Sequence, residues 1–187
     1  KAKPLYLPKD KKPLVLTQTN VNYSYYLIDS DGDHIADANG SGFASKLVLD
    51  ENGNITCEMV DSNGTITQGA YDLIPILDSF VETHPDFSYK GAKAVIAVTG
   101  YDGIFGYRTN AGAKERLGQE LYEQERKSAA GICEYLRNNG YELAYYSYNN
   151  TAYSNLTPEE IQTEMQLWKE ELHPITGFTN IFVFCKI

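Results

Sequence analysis

Histidine, cysteine and clustered positive charge are all scarce in this chain, and each scarcity removes a class of function. The 187 residues include three histidines, three cysteines and one tryptophan, with a formal net charge of −9. Lys and Arg are scattered apart from the short group Lys9 to Lys12, so nucleic acid and anionic membrane surfaces, which reward positive charge, are not expected partners. Cys57, Cys133 and Cys185 have no metal-site spacing and cannot all pair. They read as buried free thiols rather than a disulfide framework. No stretch has the length of a membrane span or the layout of a signal peptide, and without an initiator Met the chain reads as a processed or trimmed form. Repeats and low-complexity segments are missing too. What remains is an ordinary globular composition, 42% hydrophobic and rich in tyrosine, with 15 of them, which suits contact with sugars.

The most informative stretch is Ala94 to Thr109, where Ala-Val-Ile-Ala-Val runs into Thr-Gly-Tyr-Asp-Gly-Ile-Phe-Gly-Tyr-Arg-Thr. A strand apolar at every position has to be covered on both faces, as in a parallel sheet packed by helices. Ligands of such sheets sit beyond the carboxyl ends of the strands. The loop from Gly100 to Thr109 therefore lies where a site belongs, with Tyr101, Asp102, Tyr107 and Arg108 as candidate contacts.

Around that strand the pattern alternates. Pro13 to Gln18 reads as a first core strand, ending in Thr17-Gln-Thr-Asn20. Asp29-Ser-Asp-Gly-Asp-His-Ile-Ala-Asp37 places carboxylates at alternate positions, and Asp29, Asp31, Asp33, the Ile35 carbonyl and Asp37 could wrap a calcium ion. The spacing is not that of an EF-hand; it resembles the Asp-rich calcium loops of thrombospondin type 3 repeats. Ala44 to Gln68 alternates apolar and polar residues and is broken at Asn52-Gly53 and Asn63-Gly64, which predicts a three-stranded antiparallel meander with type I′ turns, set as a flap outside the main sheet. Residues 21–69 are thus an inserted acidic loop and meander. Ala70 to His84 predicts a crossover helix, residues 113–139 a second helical region, and Leu143 to Tyr148 a third core strand with Tyr146-Ser-Tyr-Asn-Asn150 at its end. Thr157-Pro-Glu-Glu160 is a capping box opening a helix with an Ile161, Met165, Trp168 and Leu172 stripe, which Pro174 ends. Ile181 to Cys185 is a fourth apolar strand. The order predicts one α/β domain over residues 1–187, of barrel or open-sheet type.

Several segments together resemble the polysaccharide deacetylases with a NodB-homology domain. They are Pro13-Leu-Val-Leu with Val21-Asn-Tyr23, Gly42-Phe-Ala-Ser-Lys-Leu-Val48, Tyr71-Asp-Leu-Ile-Pro-Ile-Leu-Asp78, His84-Pro-Asp-Phe-Ser-Tyr-Lys-Gly-Ala-Lys93 and Thr99 to Thr109. The resemblance covers most of the chain. It implies a distorted, here partial, (β/α) barrel with parallel core strands, and an extracellular or cell-surface setting, which a calcium loop also suits. In that family a divalent metal polarises the acetamide of an amino sugar and activates a water. It further implies strands beyond Ile187 that close the barrel, and without them an open sheet edge that a second copy of the chain could cover.

The family places an Asp pair after the first strand and a His-x-x-x-His motif after the third. Those positions correspond here to Thr19 and Asn20 and to Tyr146 and Asn150. Thr cannot take a proton from water near neutral pH, and Asn and Tyr are poor zinc ligands, so neither hydrolysis nor a transition metal is expected at this place. His34, His84 and His173 do not stand at strand ends and offer no substitute. The leading expectation is a deacetylase-like domain without catalysis that binds polysaccharide through Tyr101, Asp102, Tyr107, Arg108, Tyr146 and Tyr148. The alternative is an active, metal-dependent deacetylase with a rebuilt site that uses Asp102.

Overall fold

The structure is a computed structural model that describes residues 4, 6–24, 43–61 and 63–184. The proposed calcium ligands Asp29, Asp31, Asp33, Ile35 and Asp37, together with Cys185, lie outside the described residues.

Two three-stranded sheets share one core. The parallel sheet has the order β1 (Leu16–Thr19), β5 (Ala94–Val98), β6 (Glu142–Tyr145), with Leu16 opposite Ala94 and Val95 opposite Glu142. The antiparallel sheet is β2 (Ala44–Leu49), β3 (Ile55–Val60), β4 (Ile66–Gly69). Parallel core strands with a separate meander are what the residue pattern predicts. Among the described residues the parallel sheet stays open rather than closing into a barrel. Its β6 side gains one bridge, Tyr145 to Phe182, held by Tyr145 N–H to the Ile181 carbonyl (2.9 Å) and Val183 N–H to the Tyr145 carbonyl (2.8 Å). The expected fourth strand is thus reduced to a bridge.

The strand β5 meets its requirement for double cover unequally. Ile96 and Val98 join Leu143 in the large core, while Ala97 faces a small second cluster with Ala144 and Tyr146. β1 begins three residues later than expected. Its partner β5 starts only at Ala94, and before it Lys93 N–H turns to the Gly140 carbonyl (2.7 Å), which leaves Leu14 and Val15 exposed with no strand to pair.

The meander lies outside the parallel sheet as expected, and it buries Leu47, Ile55 and Cys57 in the same core as Ile74, Leu77 and Leu136. Its turns, however, are not type I′. That type needs positive φ at both central residues, and here only Gly53 and Gly64 have it. Asp50 and Asp61 instead hold the loops, each accepting N–H bonds from the residues two and four positions on. A carboxylate at the loop start outweighed the Asn-Gly signal.

Helix α1 (Leu73–Thr83) is capped by Asp72, which accepts from Leu73 N–H at 2.7 Å. The next helical region is two helices, α2 (Ala111–Leu117) and α3 (Gln119–Asn138), because Gly118 adopts φ +78° and breaks the run. Helix α4 (Pro158–Leu167) opens with the predicted capping box between Thr157 and Glu160. It passes through a π turn, Trp168–Leu172, into α5 (His173–Thr176). Pro174 does not end this helix. It sits in the first turn of α5, after a π turn that already displaces the ladder, so its missing N–H costs no regular bond; Gly177 at φ +65° is the stop. No helix among the described residues is long and apolar enough to cross a membrane.

Candidate ligand cleft at the carboxyl ends of the parallel strands

The loop after β5 is pinned to its neighbours by main-chain bonds. Ile104 and Tyr107 exchange N–H bonds across Phe105 and Gly106, whose φ values of +56° and +85° are those of a tight type I′ turn. Phe105 N–H then bonds the Val21 carbonyl (2.8 Å), Gly106 N–H the Asn22 carbonyl (3.1 Å), and the Phe105 carbonyl accepts from Leu47 N–H (3.0 Å). A bulky residue at positive φ is costly. Complete burial of the Phe105 ring and these three bonds hold it there.

Beneath the loop lies Arg108, only 4% exposed. Its guanidinium donates to the Asp102 carbonyl (2.6 Å) and the Tyr23 carbonyl (2.7 Å), and stands 3.4 Å from the Asp102 carboxylate. That carboxylate also accepts from Ser24 Oγ at 2.6 Å. Tyr107 is buried as well, with the Lys46 ammonium 4.6 Å from its ring centre. Desolvation first, then the charges of Glu125 and Glu58, push its hydroxyl up to about 12. Arg108 and Tyr107 brace the loop from below, whereas Tyr101 is half exposed above it.

The loop after β6 is held differently. Glu164, 4% exposed, accepts from Ser147 Oγ (2.9 Å), Tyr148 N–H (2.7 Å), Asn149 N–H (3.0 Å) and Asn149 Nδ2 (2.6 Å). The apolar stripe of α4 suggested Met165 as the inward residue, yet Met165 is 39% exposed and its neighbour Glu164 is buried. Four donors at the strand end outbid a thioether for the inner position, since a buried carboxylate with charge-assisted bonds is satisfied and orphaned N–H groups are not. Thr99 ties the two loops together, its hydroxyl donating to the carbonyls of Ser147 (2.8 Å) and Tyr148 (2.9 Å). Gly100 lets the Tyr148 ring come close, because a Cβ there would stand 2.3 Å from the ring.

Between the loops is a cavity of about 430 Å³ lined by Ser24, Gly100, Tyr101, Asp102, Asn110, Ala111, Gly112, Tyr148 and Asn149. Tyr148 donates its hydroxyl to Glu171 Oε2 at 2.5 Å, and Ala111 N–H reaches the same oxygen at 3.2 Å. Burial, then the bond to Glu171 and its charge, hold the Tyr148 hydroxyl well above the usual tyrosine range, so it stays a neutral donor. Asn110 Oδ1 is buried and finds no hydrogen-bond partner among the described residues.

Of the sequence-derived contacts, Tyr101, Asp102 and Tyr148 line this cavity, and Tyr107 and Arg108 lie outside its lining. Asn20 and Asn150, at the ends of β1 and β6, come together through Asn20 Nδ2 and Asn150 Oδ1 at 2.9 Å, both residues at positive φ. Thr19 is exposed. Tyr146 is buried, and its carbonyl accepts from the Trp168 indole N–H (3.1 Å). Two amides, a hydroxyl and a phenol do not fit a zinc ion, which takes imidazole, thiolate or carboxylate. Sequence reasoning missed Ser24, Asn110, Gly112, Glu164 and Glu171. Asn110 directly follows the glycine-rich loop and could have been found by extending it; nothing local marks Glu164 or Glu171.

Comparison of the chain with protein-family models, with curated proteins and with solved structures gives no match.

Proposed function

We propose that this chain is a polysaccharide deacetylase-like domain, built as a partial NodB-type barrel, that has lost hydrolysis and binds a carbohydrate outside the cell in the cavity between the β5 and β6 loops. The observation that carries the reading is the composition of that cavity: a half-exposed tyrosine ring, Tyr101, beside the amides of Asn110 and Asn149, the Tyr148 ring and one carboxylate, Asp102. Aromatic faces stack on the C–H faces of sugars, and amides and carboxylates take their hydroxyls. The hydrogen bond from the Asn20 side-chain amide to that of Asn150 supports the loss of chemistry. Residues at the two strand ends that the family uses for base and metal meet here as a neutral pair, which neither removes a proton from water nor charges a metal-bound one. A calcium ion held by Asp29, Asp31, Asp33, Ile35 and Asp37 belongs to the same reading as a structural ion, and a chelator should then lower the melting temperature.

Calorimetric titration of the whole chain with chitin, chitosan and peptidoglycan oligosaccharides tests the binding, and micromolar to millimolar affinity weakened by Tyr101→Ala is expected. Absence of heat with all of them removes the proposal. Acetate release from acetylated oligosaccharides in the presence of zinc, cobalt or manganese, abolished by Asp102→Ala, would replace it with a rebuilt hydrolase.

A further inference from the structure

We infer that the cavity selects glycans bearing a free, protonated amine over acetylated or carboxylated ones; this rests on the cavity being a glycan site. Among the described residues, those that line it include one carboxylate, Asp102, and no Lys, Arg or His. A second carboxylate, Glu171, stands directly behind the wall, bonded to the Tyr148 hydroxyl and to Ala111 N–H. Arg108 approaches Asp102 from the buried side and donates to the carbonyls of Asp102 and Tyr23. Its guanidinium is sealed under the loop rather than presented to the cavity.

Among the described residues that line this space, the one charged side chain is therefore the Asp102 carboxylate, and its Arg108 partner approaches from the buried side. An ammonium group supplies three donors and a positive charge, an acetamide one donor and no charge, and a carboxylate no donor and a repelled charge. The overall charge of −9 adds a field of the same sign. The discriminating group is Asp102. It sits at φ +60°, a conformation that Asn tolerates well, so Asp102→Asn removes the charge while keeping the backbone.

The experiment is a competition titration of the full chain at about pH 6, using glucosamine, N-acetylglucosamine and glucuronate-containing tetramers. The amine form should bind at least about tenfold tighter than the acetylated form, with the uronate weakest, and Asp102→Asn should reduce that preference to within about threefold. Equal or tighter binding of the acetylated tetramer overturns this inference and leaves the glycan-binding reading standing. Failure of every tetramer overturns both. A preference unchanged in Asp102→Asn also overturns it, because the attraction would then belong to the net charge of the chain. Should that variant not fold, the unaltered protein still decides: the preference must shrink from 20 to 300 mM salt, and a salt-independent preference contradicts the assignment.

Discussion

The two loops that enclose the cavity reach similar rigidity by opposite means. The β5 loop is held largely by main chain, through glycines at positive φ, a two-residue turn and N–H bonds to Val21 and Asn22, with the Arg108 guanidinium bracing it from below. The β6 loop is held chiefly by a side chain from another element, the buried Glu164, which accepts four bonds, with the Thr99 hydroxyl and Glu171 adding further contacts. A backbone-built loop tolerates changes of side chain but not of conformation. A loop built on one carboxylate tolerates the reverse. This difference explains why the first loop can offer Tyr101 freely to a ligand, whereas Tyr148 and Asn149 in the second are fixed in orientation before any ligand arrives.

The sharpest way to break the comparison is Gly106→Ala. Gly106 sits at φ +85° with the Ser45 carbonyl oxygen 2.3 Å from where a Cβ would stand, and main chain cannot step aside as a side-chain tip can. A loss of about 4 kcal/mol in denaturant unfolding is expected, enough to unfold a marginal domain. A near-neutral result would mean the loop is not conformationally fixed. Next comes Glu164→Ala, expected to cost about 3 kcal/mol because Ser147, Tyr148 and Asn149 lose their common acceptor inside the protein. Glu164→Gln should recover part of it, since the amide oxygen keeps some of the bonds while its NH₂ meets donors. If Gln were as damaging as Ala, the loop would depend on charge alone.

A weaker effect is alkaline. Tyr107, beneath the first loop, is raised to about 12, and Tyr23, Tyr141 and Tyr148 are raised as well, all chiefly by burial. The folded chain keeps phenolic protons that the unfolded chain releases near pH 10. The stability these groups contribute is complete below about pH 10 and is lost progressively above it, for Tyr107 as pH climbs through about 12 and for the other three at still higher pH. Circular dichroism between pH 8 and 12 should show stability falling only above about 10, and Tyr107→Phe should soften that fall. The smallest change is Asp61→Ala. This carboxylate also organises a loop by accepting N–H bonds, from Asn63 and Thr65, but it does so in water, so the melting temperature should move by less than about 2 °C. Set beside Glu164, it isolates burial as the reason one carboxylate matters and the other does not.

The parts of the fold written in local patterns were readable from the residues: the apolar β5, the Thr157 capping box and the alternation that makes the meander. What failed to show were choices made by tertiary partners. Asn52-Gly53 looked like a type I′ turn until Asp50 accepted its N–H groups, and the I′ turn appeared at Phe105-Gly106, where no propensity favours it. Met165 yielded its inward place to Glu164 because unpaired N–H groups on a distant loop required an acceptor. The site was legible to the extent that it follows strand ends, which gave Tyr101, Asp102 and Tyr148. Arg108 and Tyr107, polar and aromatic in the same loop, look like contacts in the sequence, and only the path of the chain from Val21 to Ser24 over them makes them struts.

The most direct test of the central claim is a residue-resolved NMR titration of the chain with a glucosamine tetramer. The account predicts saturable shifts at Gly100, Tyr101, Asp102, Gly112 and Asn149, on both walls of the cavity, with the meander unchanged. Shifts confined to the meander or to the exposed face of α1, with the two loops silent at saturating sugar, would contradict it.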